Sequence, residues 1–191
     1  MGFDSSRIQK KFEEFAYVLD FLPRGKMSRG AFKAEPIVQL VGESYFTLLE
    51  ATAVRNLTLS LGERIYIGKD LYRDKVSHIT GRILYENLTA VARNELSTIL
   101  GEIINKQEGR FVEFFNNTSA ITPRMHSLEL LPGIGKKYMW NILRAREQKP
   151  FTSFQDMIDR TEITDPAKLI LKRIIEELSE EPKYRLFTRS M

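Results

Sequence analysis

The spacing of apolar residues changes character once along this 191-residue chain, and that change restricts the folds open to it. Up to Leu84 the apolar residues come in short runs: Phe15–Leu22 closed by Pro23, Pro36–Val41, Tyr45–Leu49, Arg64–Ile67 and Ile79–Leu84. In the fourth run Ile65 and Ile67 share one face and Arg64 and Tyr66 the other, the period of a strand. Gly81 marks a bulge or a close approach in the fifth. Five short runs in about 70 residues, with no helical pattern between them, predict a small β barrel or curled sheet. From Leu88 the spacing becomes three and four. Ala90, Val91, Leu96, Ile99, Leu100, Ile103 and Ile104 predict a helix to Gln107, and Phe111, Val112, Phe114 and Phe115 a shorter one. Thr122 as cap and Pro123 at the first helical position predict a third helix through Leu130. The fold class expected is α+β, with a β domain over 1–86 and an α-helical domain over 87–191. Residues 1–12 read as a frayed polar start.

Several chemistries are excluded by what the chain lacks. It contains no Cys, so disulfides, Cys-ligated zinc, iron–sulfur clusters and thiol catalysis are absent. No apolar run approaches the ~20 residues that span a bilayer. Met1–Lys11 has no apolar core of a secretory signal, so a cytoplasmic protein with no membrane partner is expected. His78 and His126 have no metal-ligand spacing, and no GxxxxGK[ST] run is present. No carboxylate pair or Ser–His–Asp order can be assembled. The expectation is a non-enzyme with no catalytic residue, no metal and no cofactor.

The net charge is only +4, from 29 Lys and Arg against 25 Asp and Glu, so its distribution matters more than its sum. Four cations and no acid lie between Arg24 and Lys33: Arg24, Lys26, Arg29 and Lys33. Five cations face two acids over 127–150, namely Lys136, Lys137, Arg144, Arg146 and Lys149 against Glu129 and Glu147. The remaining tail is nearly balanced.

The second basic region contains the one motif with evident chemistry, Leu131-Pro132-Gly133-Ile134-Gly135-Lys136-Lys137. Glycines around one apolar residue allow a sharp reversal, with Ile134 turned back as a plug. The backbone N–H groups of Gly133, Gly135 and Lys136 then face outward where a helix begins, and Lys136 and Lys137 add positive charge. Such amides and the helix dipole make an anion site that suits a phosphodiester. A tight αα-corner without a ligand is the plainer reading.

This stretch resembles the helix-hairpin-helix DNA-binding motif over roughly 123–147. Met139 departs from it, standing where that motif often has a small Ala. A degenerate second copy follows, extending the likeness to about 179. Ser153 and Asp156 fit a capping box, Asp165-Pro166 opens another helix, and Thr161-Glu162-Ile163-Thr164 replaces the hairpin without glycines. Glu162 and Asp165 would repel phosphate there. Helix-hairpin-helix glycosylases place a catalytic Asp near where Asp156 and Asp159 fall, but Asp156 already serves as a capping acid and the β half has no place in that all-helical architecture.

Gly62–Gly68, Phe111–Asn116 and Leu128–Lys137 together resemble an archaeal family of uncharacterised proteins. The resemblance implies an OB-like β barrel joined to a helical domain with a helix-hairpin-helix pair, and RNA or nucleotide binding. The function expected is sequence-independent nucleic-acid binding, DNA or RNA, through Gly133, Ile134, Gly135, Lys136 and Lys137. The basic loop with Arg24, Lys26, Arg29 and Lys33 is the expected second contact. Tyr17, Tyr45 and Tyr66 are candidates for base stacking, although core packing is the commoner fate of such residues. Trp140 is expected either partly exposed beside the hairpin or buried against the β domain, with packing favoured over ligand contact. The alternative is a protein–protein interaction or scaffold module within a larger complex.

Overall fold

A computed structural model describes residues 12–28, 31–33 and 35–189. The polar start read over 1–12 therefore lies almost wholly outside the described residues. Nine strands and five α-helices are described in it: β1 (Phe15–Leu22), β2 (Lys26–Ser28), β3 (Ala31–Lys33), β4 (Ile37–Gly42), β5 (Leu48–Ala53), β6 (Arg64–Tyr66), β7 (Val76–Arg82), α1 (Ala90–Lys106), α2 (Glu108–Asn117), β8 (Ala120–Thr122), β9 (Met125–His126), α3 (Lys136–Gln148), α4 (Phe154–Arg160) and α5 (Pro166–Ser179).

Five strands form one antiparallel sheet in the order β6-β1-β4-β5-β7. It curls into a half-barrel because every one of them contributes to the same inner cluster. Ala16 and Val18 (β1), Val38 and Leu40 (β4), Leu49 and Ala51 (β5), Ile65 (β6) and Val76 (β7) meet there. Register irregularities bend β1 between Val18 and Asp20, and bend β7 where Thr80 is left over between Ile79 and Gly81. The bulge read at Gly81 is thus present. The basic segment between β1 and β4 is a small hairpin of its own, β2–β3, with Lys26 opposite Lys33.

The other face of the sheet is also apolar. Tyr17, Leu19, Val41, Phe46 and Leu48 join the helical core, where Leu96, Ile99, Leu100, Ile103 and Ile104 of α1 meet Phe111 and Phe115 of α2 and Ile170 and Ile174 of α5. Phe46 lies parallel to Phe111 with ring centroids 6.4 Å apart. It sits at φ 54°, a backbone that a bulky residue adopts only when its surroundings demand it. Glu13 supplies that demand. Its buried carboxylate accepts from the N–H groups of Ser44, Tyr45 and Thr47 at 2.9, 3.0 and 3.2 Å. Gly42 is required beside it, since a Cβ there would lie 2.1 Å from the Glu13 carboxyl carbon.

A second carboxylate fastens the C-terminal segment. Glu177 is fully buried and accepts from the N–H groups of Leu186, Phe187 and Thr188, from the Thr188 hydroxyl and from Arg173 at 2.9 Å. Five donors on one carboxylate satisfy its lone pairs despite burial.

The third helix expected from Thr122 and Pro123 is not formed. Residues 120–126 make the two-stranded β8–β9 hairpin, and only 127–130 coil into a 3₁₀ turn. The residue types that open a helix also open a β-turn, where Pro at the second position presets φ. Closure of the hairpin selects the turn: the Ser127 N–H and hydroxyl donate to the Ser119 carbonyl, eight residues back, at 3.1 and 2.6 Å.

Glu177→Ala would leave the buried Arg173 guanidinium with only the longer 3.6 Å ion pair to Glu176, and the 186–188 amides unsatisfied. A loss of about 3–5 kcal/mol in urea unfolding is expected. A loss under about 1 kcal/mol would mean that the clasp does not hold the tail.

Candidate phosphate site at the start of α3

The segment before α3 is built by short-range hydrogen bonds. Leu131 N–H donates to the Leu128 carbonyl at 3.1 Å and Ile134 N–H to the Leu131 carbonyl at 3.0 Å. Gly133 has φ +88°, so it is the glycine that the reversal needs. Gly135 has φ −85° and ψ 179°, ordinary extended backbone, and no atom lies within 4 Å of the position a Cβ would take. Leu131 and Ile134 are buried, and Met139, Ile142 and Ala145 seat α3 on the core. The departure at Met139 is accommodated by burying its thioether chain.

Gly135 is the N-cap and has no side chain to accept from the first turn. Met139 N–H donates to the Gly135 carbonyl at 3.0 Å. The N–H groups of Lys136, Lys137 and Tyr138 have no intrahelical acceptor, as at any helix start. Thr89 caps α1, Ser153 caps α4 and Asp165 caps α5, each accepting a backbone N–H of its first turn. At the opposite end of α3, Arg160 donates to the carbonyls of Ala145 and Lys149. The carbonyl end is thus closed by protein and the amide end open to solvent.

Charge around the opening is mixed. Lys136 is exposed and makes no ion pair among the described residues. Lys137 donates to Glu162 at 2.8 Å, joining the two loops, and that contact holds the Glu162 carboxyl below its usual range. Asp165 is occupied at the start of α5, accepting from Lys168 N–H at 2.9 Å. A cleft beside the loop is lined by Gly133, Tyr138, Glu162, Lys168 and Lys172. Lys168 and Lys172 were missed in the sequence. Their spacing of four on the polar side of α5 was visible, but that they face Gly133 depends on how α5 folds back.

The basic hairpin is more heavily used than its composition suggested. Lys26 forms an ion pair with Glu50. Arg24 is exposed in the turn after β1. Arg29 lies outside the described residues, and Lys33 is described only as backbone of β3. The tyrosines are largely occupied. Tyr17 is buried and donates to Glu43 at 3.3 Å; the Tyr66 hydroxyl accepts from Asp70 and Leu71 N–H; the Arg189 guanidinium covers the Tyr45 ring at 3.5 Å. Asp156 accepts from Thr152 N–H and pairs with Arg160 at 2.9 Å, which lowers its pKa. Among the described residues no group of three or more His, Asp or Glu is placed to hold a metal ion, and no helix is long and apolar enough to cross a membrane.

A family model described as "Protein of unknown function (DUF655)" matches residues 12–189. The chain belongs to this family. The uncharacterized DUF655 relative MJ0038 of Methanocaldococcus jannaschii is 46% identical over 191 residues, which is 99% of this chain and 86% of that protein. The crystal structure of Af1531 from Archaeoglobus fulgidus, of the same family, is 45% identical and superposes with a TM-score of 0.85, covering 93% of this chain and all of that one. The likeness to an uncharacterised archaeal family is therefore established. A stretch of 59 residues, 30% of this chain, is also 37% identical to a PolC-type DNA polymerase III of Thermotoga maritima, of which it spans 4%.

His126 sets the approach to the site. Its Nδ1 accepts from Leu128 N–H at 3.1 Å, which requires the neutral ring. Burial first, and then the Arg146 charge, lower its pKa from the usual value. The unfolded chain therefore binds the proton first as pH falls below about 6.5. This contribution to stability is complete above that pH and is lost through the window down to the folded value. A lower urea midpoint is expected at pH 5.5 than at 7.5, and His126→Asn, which keeps an acceptor, should flatten the difference. An equal slope in both proteins would remove His126 as its source.

Proposed function

We propose that this DUF655 protein is a non-enzymatic nucleic-acid-binding protein whose first turn of α3 grips a backbone phosphate. The observation that carries the reading is the set of open N–H groups on Lys136, Lys137 and Tyr138, beside two exposed glycines and the exposed Lys136, which has no ion-pair partner among the described residues. Amides at a helix start bind anions without regard to base identity. The Gly133–Lys137 segment resembles the hairpin of a helix-hairpin-helix, although a 3₁₀ turn stands where its first helix would be. Ile163 is buried at the matching place of the second unit, as Ile134 is in the first, which supports a tandem arrangement with one open loop and one closed by its own acids.

The β half supports an OB-like barrel by its strand order. Taking β1, β4, β5, β6 and β7 as first to fifth, the order is four-one-two-three-five, open between the last two. In such barrels nucleic acid uses the face of the second and third strands together with the loops beside them. Here Gln39 and Val41, on the helix side of the second strand, are buried. The second contact is therefore the turn and hairpin carrying Arg24 rather than the sheet face.

Gly135→Asp separates stability from binding. Asp is a favoured N-cap, the backbone is already extended, and space is available, so α3 should gain about 0.3–1 kcal/mol. The same carboxylate would occupy the amides and abolish most binding. A more stable protein that binds as before would remove the loop from the mechanism.

Salt dependence tests the lysines. Lys136→Ala should reduce the slope of log affinity against log salt by about one. Lys137→Ala should change it less, because Lys137 exchanges Glu162 for the phosphate. The protein–protein reading predicts no salt-dependent affinity for any polynucleotide.

A further inference from the structure

Lys136, Trp140 and Arg144 follow one another at intervals of four along α3. That spacing sets them in one row down a helix face. All three are exposed, and Trp140, the single Trp of the chain, is 54% exposed as a residue. The helix does not need it for seating, since Met139, Ile142 and Ala145 are the buried positions of α3. Neither Lys136 nor Arg144 makes an ion pair among the described residues; the pair in this region is that of Lys137 with Glu162. The row begins at the first turn of α3, beside the open amides.

We propose that Trp140 is a stacking platform for an unpaired base, which makes the ligand a single-stranded nucleic acid. This rests on the phosphate reading of the loop and narrows it. The helix rise places Lys136 and Arg144 about 12 Å apart with the indole between them. A strand running down this row meets positive charge for its phosphates on both sides of an aromatic face. Stacking on such a face is tolerant of sequence, because every base has a π surface. In a duplex both surfaces of each base are covered by its neighbours, so the platform serves only a strand whose bases are splayed. Charge complementarity favours this occupant over an apolar protein surface, which would have to bury both flanking cations without partners.

The test uses the full chain, with short oligo(dT) and oligo(U) strands and a blunt duplex of matched length as probes. Being the only Trp, Trp140 reports directly. Its fluorescence should be quenched by the single strands and not by the duplex. Trp140→Ala should weaken single-strand binding, read by anisotropy of a labelled strand, by about tenfold. Trp140→Phe keeps a ring and should lose less, and it guards against a folding defect in the Ala variant. If the single strands bind with the expected salt dependence but fluorescence and the Trp140→Ala affinity are unchanged, the platform is wrong and the phosphate reading stands. If neither strand nor duplex binds at all, both readings fall together.

Discussion

The rest of the molecule depends on the second face of the sheet being buried rather than wet. A curled sheet with one inner core can stand with its outer face in water. Here Tyr17, Leu19, Val41, Phe46 and Leu48 continue into the helical core instead. Burying that face also buries Gln39, which must then be satisfied. Its Nε2 donates to the Asn87 carbonyl at 3.0 Å, and its Oε1 accepts from Thr89 N–H at 2.9 Å. The Thr89 hydroxyl in turn donates to Asp20 at 2.6 Å and accepts from Ala92 N–H at 3.0 Å. The start of α1 is therefore fixed on β1 and β4 by polar contacts of defined direction. Hydrophobic burial alone would let the helix slide, whereas these bonds allow one position.

That placement decides where a polynucleotide could lie. With α1 on the sheet and Lys26 on Glu50, the helix side of the middle strands is largely covered. Aromatic residues that looked suited to stacking serve packing or local hydrogen bonds. The exposed groups that remain sit on loops and on the far face of α3, which is where the functional reading settles. A fold that uses its sheet face for union with a second unit leaves its exposed cations and rings at the edges of that union.

Much of this could be read from the residues because local and tertiary preferences agree. Four of the five sheet strands and both α1 and α2 overlap the runs that the apolar spacing marks; the run over Tyr45–Leu49 meets β5 only at Leu48 and Leu49, because Tyr45 and Thr47 belong to the turn whose amides Glu13 holds. The failure at 122–130 has a local cause: Thr-Pro is equally a cap and a turn, and Ser127 binding back to Ser119 chooses between them. At Trp140 the pattern leaves exposure beside the hairpin and burial against the β domain both open, and the structure shows exposure. The neighbours Met139, Ile142 and Leu143 share a helical stripe, and periodicity does not say that Trp140 falls off its edge. Ion pairs were least legible. Lys137 with Glu162 and Lys26 with Glu50 join residues 25 and 24 positions apart, distances over which no pattern operates. The motif at Gly133–Lys137 was visible because its geometry is set within a few residues.

Backbone N–H groups give the clearest contrast between closed and open parts of the chain. Glu13 fills the amides of 44–47, Glu177 those of 186–188, and Asp156 that of Thr152. Thr89, Ser153 and Asp165 close three helix starts. At α3 the N-cap backbone is extended like those of Thr89 and Ser153, and the space for a Ser or Asp side chain is there. Gly at that position forgoes a few tenths of a kcal/mol that a capping residue would supply. The conformational reason for glycine applies at Gly133 and fails at Gly135, whose φ any residue could adopt. What glycine does provide at 135 is an unobstructed approach to the amides, the feature on which the proposed phosphate contact rests.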